Sequence, residues 1–303
     1  MLFNIHTLKW DSELLEIFGI PESILPKVIA SDEIAGYLDF EGHNIPICGI
    51  AGDQQSALVG QCCFEKGESK VTYGTGMFML FNTGEKPPES DCGMLTTIAY
   101  KIQGKVCYAL EGSVFNAGSA VQWLRDNLNF FDNSADSYNF AKKVDSTEGV
   151  YIIPAFTGLG APYWDSEAKG IICGINRNTN KYHITRAVLE AIAYSAREII
   201  ELMQSDSGIT LKILKCDGGG SQNDFTMQFQ ADILGIATDR PTESESTILG
   251  AAYLCILGLK LKKIEQIQNL RKTEKLFLPQ IDKTKADKLY SGYKKAIKKC
   301  IGN

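Results

Sequence analysis

Asp53, Gln54 and Gln55 stand together behind a run of small and β-branched residues that includes Ile45, Ile47, Gly49, Ile50 and Gly52. One carboxylate beside two amides can accept a hydroxyl proton and hydrogen-bond neighbouring hydroxyls. The β-branched approach predicts a strand over residues 45–50 that delivers Asp53, with small neighbours that let a ligand reach the backbone. The same spacing equally suits Asp53 as a helix cap with Gln54 and Gln55 in the first turn, and the two roles are compatible. Further on, Gly74-Thr75-Gly76 interrupts two β-rich runs, residues 71–73 and 77–81. Its glycines permit positive φ, and Thr75 offers a hydroxyl and an N–H to a phosphate oxygen; a plain hairpin turn has the same appearance. Phe78 reads either as a core aromatic or as a wall along the carbon side of a polyol. A lone acid, adjacent amides and a glycine-flanked hydroxyl suit a site for a polyol and a phosphate.

Two more groups point the same way. Gly118 and Gln122 are four apart on an expected helix and share a face. Gly118 has no side chain to block a phosphate and Gln122 can donate to one, while helix packing and plain exposure explain the pair as well. The Asp217-Gly-Gly-Gly-Ser-Gln-Asn223 turn lies between an expected strand and an expected helix, where Gly219 and Asn223 could meet a nucleotide at the helix N-terminus. It is not G-x-G-x-x-G, and no G-x-x-x-x-G-K-[ST] loop occurs in the chain, which excludes a standard P-loop ATPase.

The elements that must hold these residues alternate. Strands are expected at 71–81, 95–99, 106–110, 150–155 and 211–216, and helices at 116–128, 183–204, 223–234 and from 250. Gly235 can end the third of these helices. The first 44 residues read as two short helices, one capped by Ser12 and ended by Gly19, the next bracketed by Pro21 and Pro26. The pattern argues for an α/β fold with a mixed sheet and helices on its faces.

Composition narrows the class. The 303 residues are 44% hydrophobic and 22% charged, with a formal net charge of -5. That balance argues against a broad nucleic-acid footprint, and the lysines from 283 to 299 read as the solvated face of a terminal helix. Nine cysteines without a C-x-x-C pair suggest reduced cytoplasmic thiols, and the three histidines have no metal-ligand spacing. No apolar run approaches the ~18 residues that would span a bilayer, so no membrane partner is expected.

The order of motifs carries a resemblance. Asn4-Ile-His-Thr-Leu-Lys-Trp-Asp11, Gly49-Ile-Ala-Gly-Asp-Gln-Gln55, Tyr73-Gly-Thr-Gly76, Gln122-Trp-Leu-Arg-Asp126, Pro154-Ala-Phe-Thr-Gly-Leu-Gly-Ala-Pro-Tyr-Trp-Asp165, Asp217-Gly-Gly219 and Met227-Gln-Phe-Gln230 follow one another. This succession resembles the FGGY carbohydrate-kinase family, and its glycerol-phosphorylating members most. The resemblance implies an actin-like (ribonuclease-H-like) ATPase fold and ATP-dependent phosphorylation of glycerol to glycerol 3-phosphate. Asp53 would be the general base, with Gln54 and Phe78 in the glycerol pocket. Thr75, Gly118 and Gln122 would face the ATP phosphates, and Gly219 and Asn223 the adenosine. Mg²⁺ would arrive with the nucleotide, and a cytoplasmic homo-oligomer is implied for the full-length family.

Departures shape the expectation for this chain. The family's D-x-G-T-T/S phosphate loop and glycerol-gripping arginine are absent from the 303 residues. Residues 1–52 are therefore expected to be the tail of an N-terminal kinase domain and residues 53–303 a C-terminal kinase domain, together half a cleft. The chain alone would be inactive. It could act as an inactive remnant or as half of a split kinase that binds a separate N-terminal domain chain. A related sugar or pentulose kinase is the other alternative. The segment Asp39-Phe-Glu-Gly-His-Asn44 has no arginine where the family's fructose 1,6-bisphosphate loop is expected.

Overall fold

A computed structural model describes residues 2–301. The chain opens with a short ladder of β1 (Phe3–Asn4) and β2 (Lys9–Trp10), followed by helix α1 (Ser12–Phe18). Asp11, not Ser12, caps α1: its carboxylate accepts the Leu14 N–H at 3.1 Å, and Gly19 ends the helix at φ 64. The second expected helix is only a 3-10 turn, Glu22–Ile24, because the bracketing prolines leave no room for an α-helical turn. Strands β3 (Gly36–Phe40) and β4 (His43–Ile47) form a separate hairpin turned by Glu41 and Gly42, both at positive φ. The strand expected over 45–50 thus ends at Ile47 and lies outside the main sheet. Gly49 at φ 78 breaks it, and residues 48–52 are irregular.

The body of the molecule follows. It comprises α2 (Asp53–Gly60), β5 (Ser69–Tyr73), β6 (Met77–Gly84), β7 (Leu95–Ile102), β8 (Lys105–Val114), α3 (Gly118–Asp126), α4 (Ser137–Ala141), β9 (Tyr151–Ile153) and β10 (Ile171–Cys173). The 27-residue α5 (Lys181–Ser207) leads to β11 (Ile213–Asp217), α6 (Asp224–Leu234), β12 (Ala237–Pro241) and α7 (Ser246–Gly258). The chain closes with α8 (Ile264–Gln268), β13 (Thr273–Phe277) and α9 (Lys283–Ile301). Seven strands form one mixed sheet in the order β13-β12-β11-β5-β6-β8-β7. β11 runs parallel to β5 and β12, and the remaining pairs are antiparallel. The strand expected at 150–155 is β9, which pairs with β10 and stays out of this sheet.

Alternation along β5 and β6 divides the side chains between two layers. Val71 and Met79 point into a core with Leu124 of α3, Val188 of α5 and Met227 of α6. Leu80 faces the other way, against Leu58 and Val59 of α2 and Leu254 of α7. α2 and α7 cross at glycines. A Cβ on Gly250 would sit 1.7 Å from the Ser56 carbonyl oxygen, and one on Gly60 would sit 1.9 Å from that of Ser246. Only residues without a side chain allow two backbones to approach this closely. On the far side Tyr194, Phe229, Tyr290 and Tyr293 join α5, α6 and α9 in a third cluster. No helix among the described residues is long and apolar enough to cross a membrane.

Candidate active site

The tip of the β5–β6 hairpin is held by the start of α3. The N–H groups of Ala117 and Ser119 both donate to the Thr75 carbonyl at 3.0 Å, and that of Gly118 donates to the Gly74 carbonyl at 3.0 Å. The first turn of a helix has unpaired N–H groups, and here the glycine turn accepts from them. The close approach explains Gly118, since a Cβ there would sit 2.4 Å from the Gly74 carbonyl oxygen. Gly118 is the first residue of α3, so the shared face with Gln122 exists, and the packing role exists with it.

A cavity of about 450 Å³ opens beside this junction. Thr75, Gly118, Gln122, Gly219 and Asn223 all line it, so the five residues separated by up to 148 positions in the chain meet in one place. Gly218 adopts φ 80 and turns the chain out of β11, while a Cβ added at Gly219 would meet open space. Asn223 caps α6: its Oδ1 accepts the N–H groups of Phe225 and Thr226 at 3.1 and 3.2 Å, and its Nδ2 donates to the Ser137 hydroxyl at 3.1 Å. The cavity's apolar side comes from Val121, Leu189 and Ile192. Tyr138 on α4 and the turn at Ser134 also line it. Sequence reasoning missed this wall, because a five-residue helix carries too little periodicity to be seen.

Asp53, Gln54 and Phe78 do not line that cavity. They gather on the α2 side of the same hairpin. Asp53 is the first residue of α2 and is exposed; Gly52 occupies the cap position, so the capping alternative fails in its strict form. The Asp53 carboxylate does accept the Gln54 N–H at 2.8 Å. Gln55 turns away towards the Thr97 hydroxyl at 3.5 Å. Phe78 is half-buried and belongs to neither adjoining core cluster.

Strand register puts charge behind these residues. Asp217, Thr72, Phe78 and Ser113 lie opposite one another across four strands, and so do Lys215, Lys70, Leu80 and Glu111. Lys70 is fully buried, and its ammonium donates to Gln54 Oε1 and, at 2.9 Å, to the Thr72 hydroxyl. Burial pushes its pKa down to about 8 against the opposing pull of Asp217, Cys63, Glu111 and Asp53. Burial likewise raises the Glu111 carboxyl, with Lys70 acting to lower it. Gln61 of the turn after α2 donates to Asp217 at 2.8 Å and to the Ser246 hydroxyl at 3.0 Å. The Asp217 turn is thereby tied to both helices that carry the Asp53 side.

The arrangement places an exposed carboxylate and an amide on one side of a hairpin tip, and a cavity rimmed by backbone and neutral polar groups on the other. Its architecture can be compared with known proteins. Residues 69–259 match the FGGY family of carbohydrate kinases, C-terminal domain, and residues 1–60 match the N-terminal domain of that family. The chain belongs to the FGGY family of carbohydrate kinases. It is 55% identical over 304 residues to a glycerol kinase of Thermoanaerobacter sp. (strain X514), covering 99% of this chain and 61% of that one. The crystal structure of Plasmodium falciparum glycerol kinase with ADP superposes with a TM-score of 0.93 at 41% identity, covering 99% of this chain and 61% of that one. A ligand-bound xylulose kinase from Lactobacillus acidophilus shares the fold, with a TM-score of 0.86 at 22% identity over 97% of this chain and 61% of that one. The chain therefore spans 61% of the length of the curated relative it matches.

Proposed function

We propose that this FGGY chain carries the nucleotide site and the general base of an ATP-dependent glycerol kinase that forms glycerol 3-phosphate. The observation behind this reading is the meeting of Thr75, Gly118, Gln122, Gly219 and Asn223 on one cavity, beside a hairpin whose other flank presents Asp53 and Gln54. ATP would lie with its adenosine towards Gly219 and Asn223 and its phosphates towards Thr75, Gly118 and Gln122. Asp53 would accept the proton of a glycerol hydroxyl while that oxygen forms its bond to the γ-phosphorus and the bond to ADP breaks. Gln54 would hydrogen-bond a neighbouring hydroxyl, and Phe78 would cover the carbon chain. Identity of 55% to a glycerol kinase over nearly the whole of this chain favours glycerol as the acceptor.

Mg²⁺ fits as a companion of the nucleotide. No group of three or more His, Cys, Asp or Glu residues suited to hold a metal occurs among the described residues. Mg²⁺ is commonly bound through substrate phosphates, so the phosphates of ATP would carry it to the cavity. When bound, the ion would neutralise charge on the transferring phosphoryl group.

In this reading residues 1–52 end an N-terminal kinase domain and residues 53–303 form the C-terminal domain. The opposing wall of the cleft, with a D-x-G-T-T/S loop, is not among the 303 residues. The test is an ATP-coupled assay with glycerol and with xylulose, run on the chain alone and on the chain supplied with the part of the Thermoanaerobacter relative that it does not cover. Turnover of glycerol in the second arm is expected, and none above background in the first. Preference for xylulose, or no turnover in either arm with both chains folded, would overturn the reading.

A further inference from the structure

A fully buried lysine beside neutral hydrogen-bond acceptors is unusual, because a charge out of water normally needs close ionic pairing. Lys70 stands in the middle of the sheet, on β5 between β11 and β6. Its two hydrogen-bond acceptors are the side chains of Gln54 and Thr72, both uncharged. The same row carries Glu111, while Asp53 and Asp217 bracket this face from α2 and β11. A methionine in this place would fill similar volume without the desolvation cost. The ammonium offsets the charge of Glu111, Asp217 and Asp53, and it also fixes the neutral side chains that it bonds.

What it does follows from donor and acceptor capacity. A lysine ammonium has three donors and no acceptor, while a glutamine amide has one acceptor end and one donor end. Contact with Lys70 fixes the amide orientation: Oε1 faces inward, and the NH₂ group of Gln54 is left to face away from the ammonium. Gln54 sits next to Asp53, whose carboxylate only accepts. The pair then offers a donor and an acceptor side by side, which matches an alcohol oxygen bonded at one hydroxyl and stripped of its proton at the next.

We propose that Lys70 is a positioning residue for the acceptor alcohol: it locks the Gln54 amide with its donor end towards the cleft, so that the pocket selects hydroxyl oxygens. The proposal rests on the reading of Asp53 and Gln54 as the alcohol pocket. It names a residue that never touches the substrate and acts through Gln54.

The test uses Lys70→Met and Gln54→Glu in the chain supplied with the uncovered part of the relative. Loss of one charge-assisted orientation should raise the KM for glycerol by ~10–100-fold in Lys70→Met, with the KM for ATP unchanged and the melting temperature unchanged or higher. Gln54→Glu should raise the glycerol KM comparably while raising the melting temperature, since it gives Lys70 an ionic partner but removes the donor. A purely structural lysine would lower the melting temperature in Lys70→Met and leave the glycerol KM where it was; that result overturns the proposal. A second readout needs no activity. In the ¹⁵N-labelled 303-residue chain, the Gln54 side-chain NH₂ resonances should move in Lys70→Met, and unmoved resonances would overturn the locking even if the glycerol reading itself had failed.

Discussion

The two flanks of the β5–β6 hairpin solve opposite problems. On the Thr75 side the chain builds a concave cavity whose polar surface is backbone, amide and hydroxyl, and whose shape depends on the close backbone approach at Gly118. On the Asp53 side it gathers charge: an exposed carboxylate, a buried ammonium and a half-buried glutamate on one face of the sheet. The first site is defined by shape and is enclosed by this chain's own elements. The second is defined by electrostatics and presents an open face. A ligand held by shape can be recognised by one folded half, whereas a proton transfer needs its acceptor pinned from both sides. The contrast predicts that substitutions on the two flanks will fail in different ways.

The largest effect belongs to the charged flank. In the complemented assay Asp53→Asn should cut kcat by ~10²–10⁴-fold, with ADP affinity by calorimetry unchanged. A kcat within threefold of the parent would reduce Asp53 to its contact with the Gln54 N–H.

Next comes the protonation of Lys70. Its folded pKa, about 8, lies below the value of roughly 10.4 that an unfolded lysine has. Between those values the unfolded chain binds more protons, so this group adds stability as the pH rises. The penalty is present in full below pH 8 and is relieved towards pH 10.4, by up to about 3 kcal/mol. Urea unfolding of the parent and Lys70→Met at pH 7.5 and pH 10 should therefore show the difference shifting in favour of the parent at the higher pH. A difference independent of pH would mean that the ammonium is solvated.

The shape-defined flank should respond through packing. Gly118→Ala forces a Cβ against the Gly74 carbonyl and should cost ~1–3 kcal/mol of stability together with nucleotide binding. Gly219→Ala should leave the melting temperature within a degree while weakening ADP, because its methyl projects into open space at the cavity rim. If both variants melt alike, the distinction drawn between the two glycines is wrong.

The smallest expected difference is between nucleotides. The 303-residue chain alone should bind ADP and ATP with similar Kd values, on the order of 1 mM, since the opposing phosphate loop is not among its residues. Micromolar ATP binding with strong preference over ADP would place the phosphate grip on this flank after all.

Much of this was readable from local chemistry. Gly235 ends α6 at φ 71, Asn223 starts it through its own side chain, and the Asp217 turn leads from strand to helix. These signals act over a few residues, so the sequence displays them directly. The expected mixed sheet with flanking helices also stands. Tertiary partners decided the rest. Residues 45–50 read as one strand leading to Asp53 because they are rich in isoleucine, yet Ile45 and Ile47 are 44% and 48% exposed on a separate hairpin and Ile50 lies beyond it. Lys70 escaped notice because Lys-Val-Thr-Tyr alternation on β5 looks like a solvent-facing edge. The missed clue was Lys215 and Asp217 in the same alternation on β11, a polar stripe repeated on an interior strand. α7 begins at Ser246, four residues before Gly250, whose small size marks the crossing with α2 and not the start of a helix.

That crossing has a mechanical consequence. With Gly60 and Gly250 seated against the partner backbone, α2 and α7 meet with no side chain between them, and neither position can take even a methyl. Gly49 is wedged in the same way, where a Cβ would lie 2.3 Å from the Ala251 carbonyl oxygen. Asp53 is therefore mounted on a pair of helices fitted backbone to backbone, and residues 50–52 ahead of it have no regular structure. Any motion of the helix pair would carry Asp53 with it, since the place of its backbone is set by the fit of two backbones.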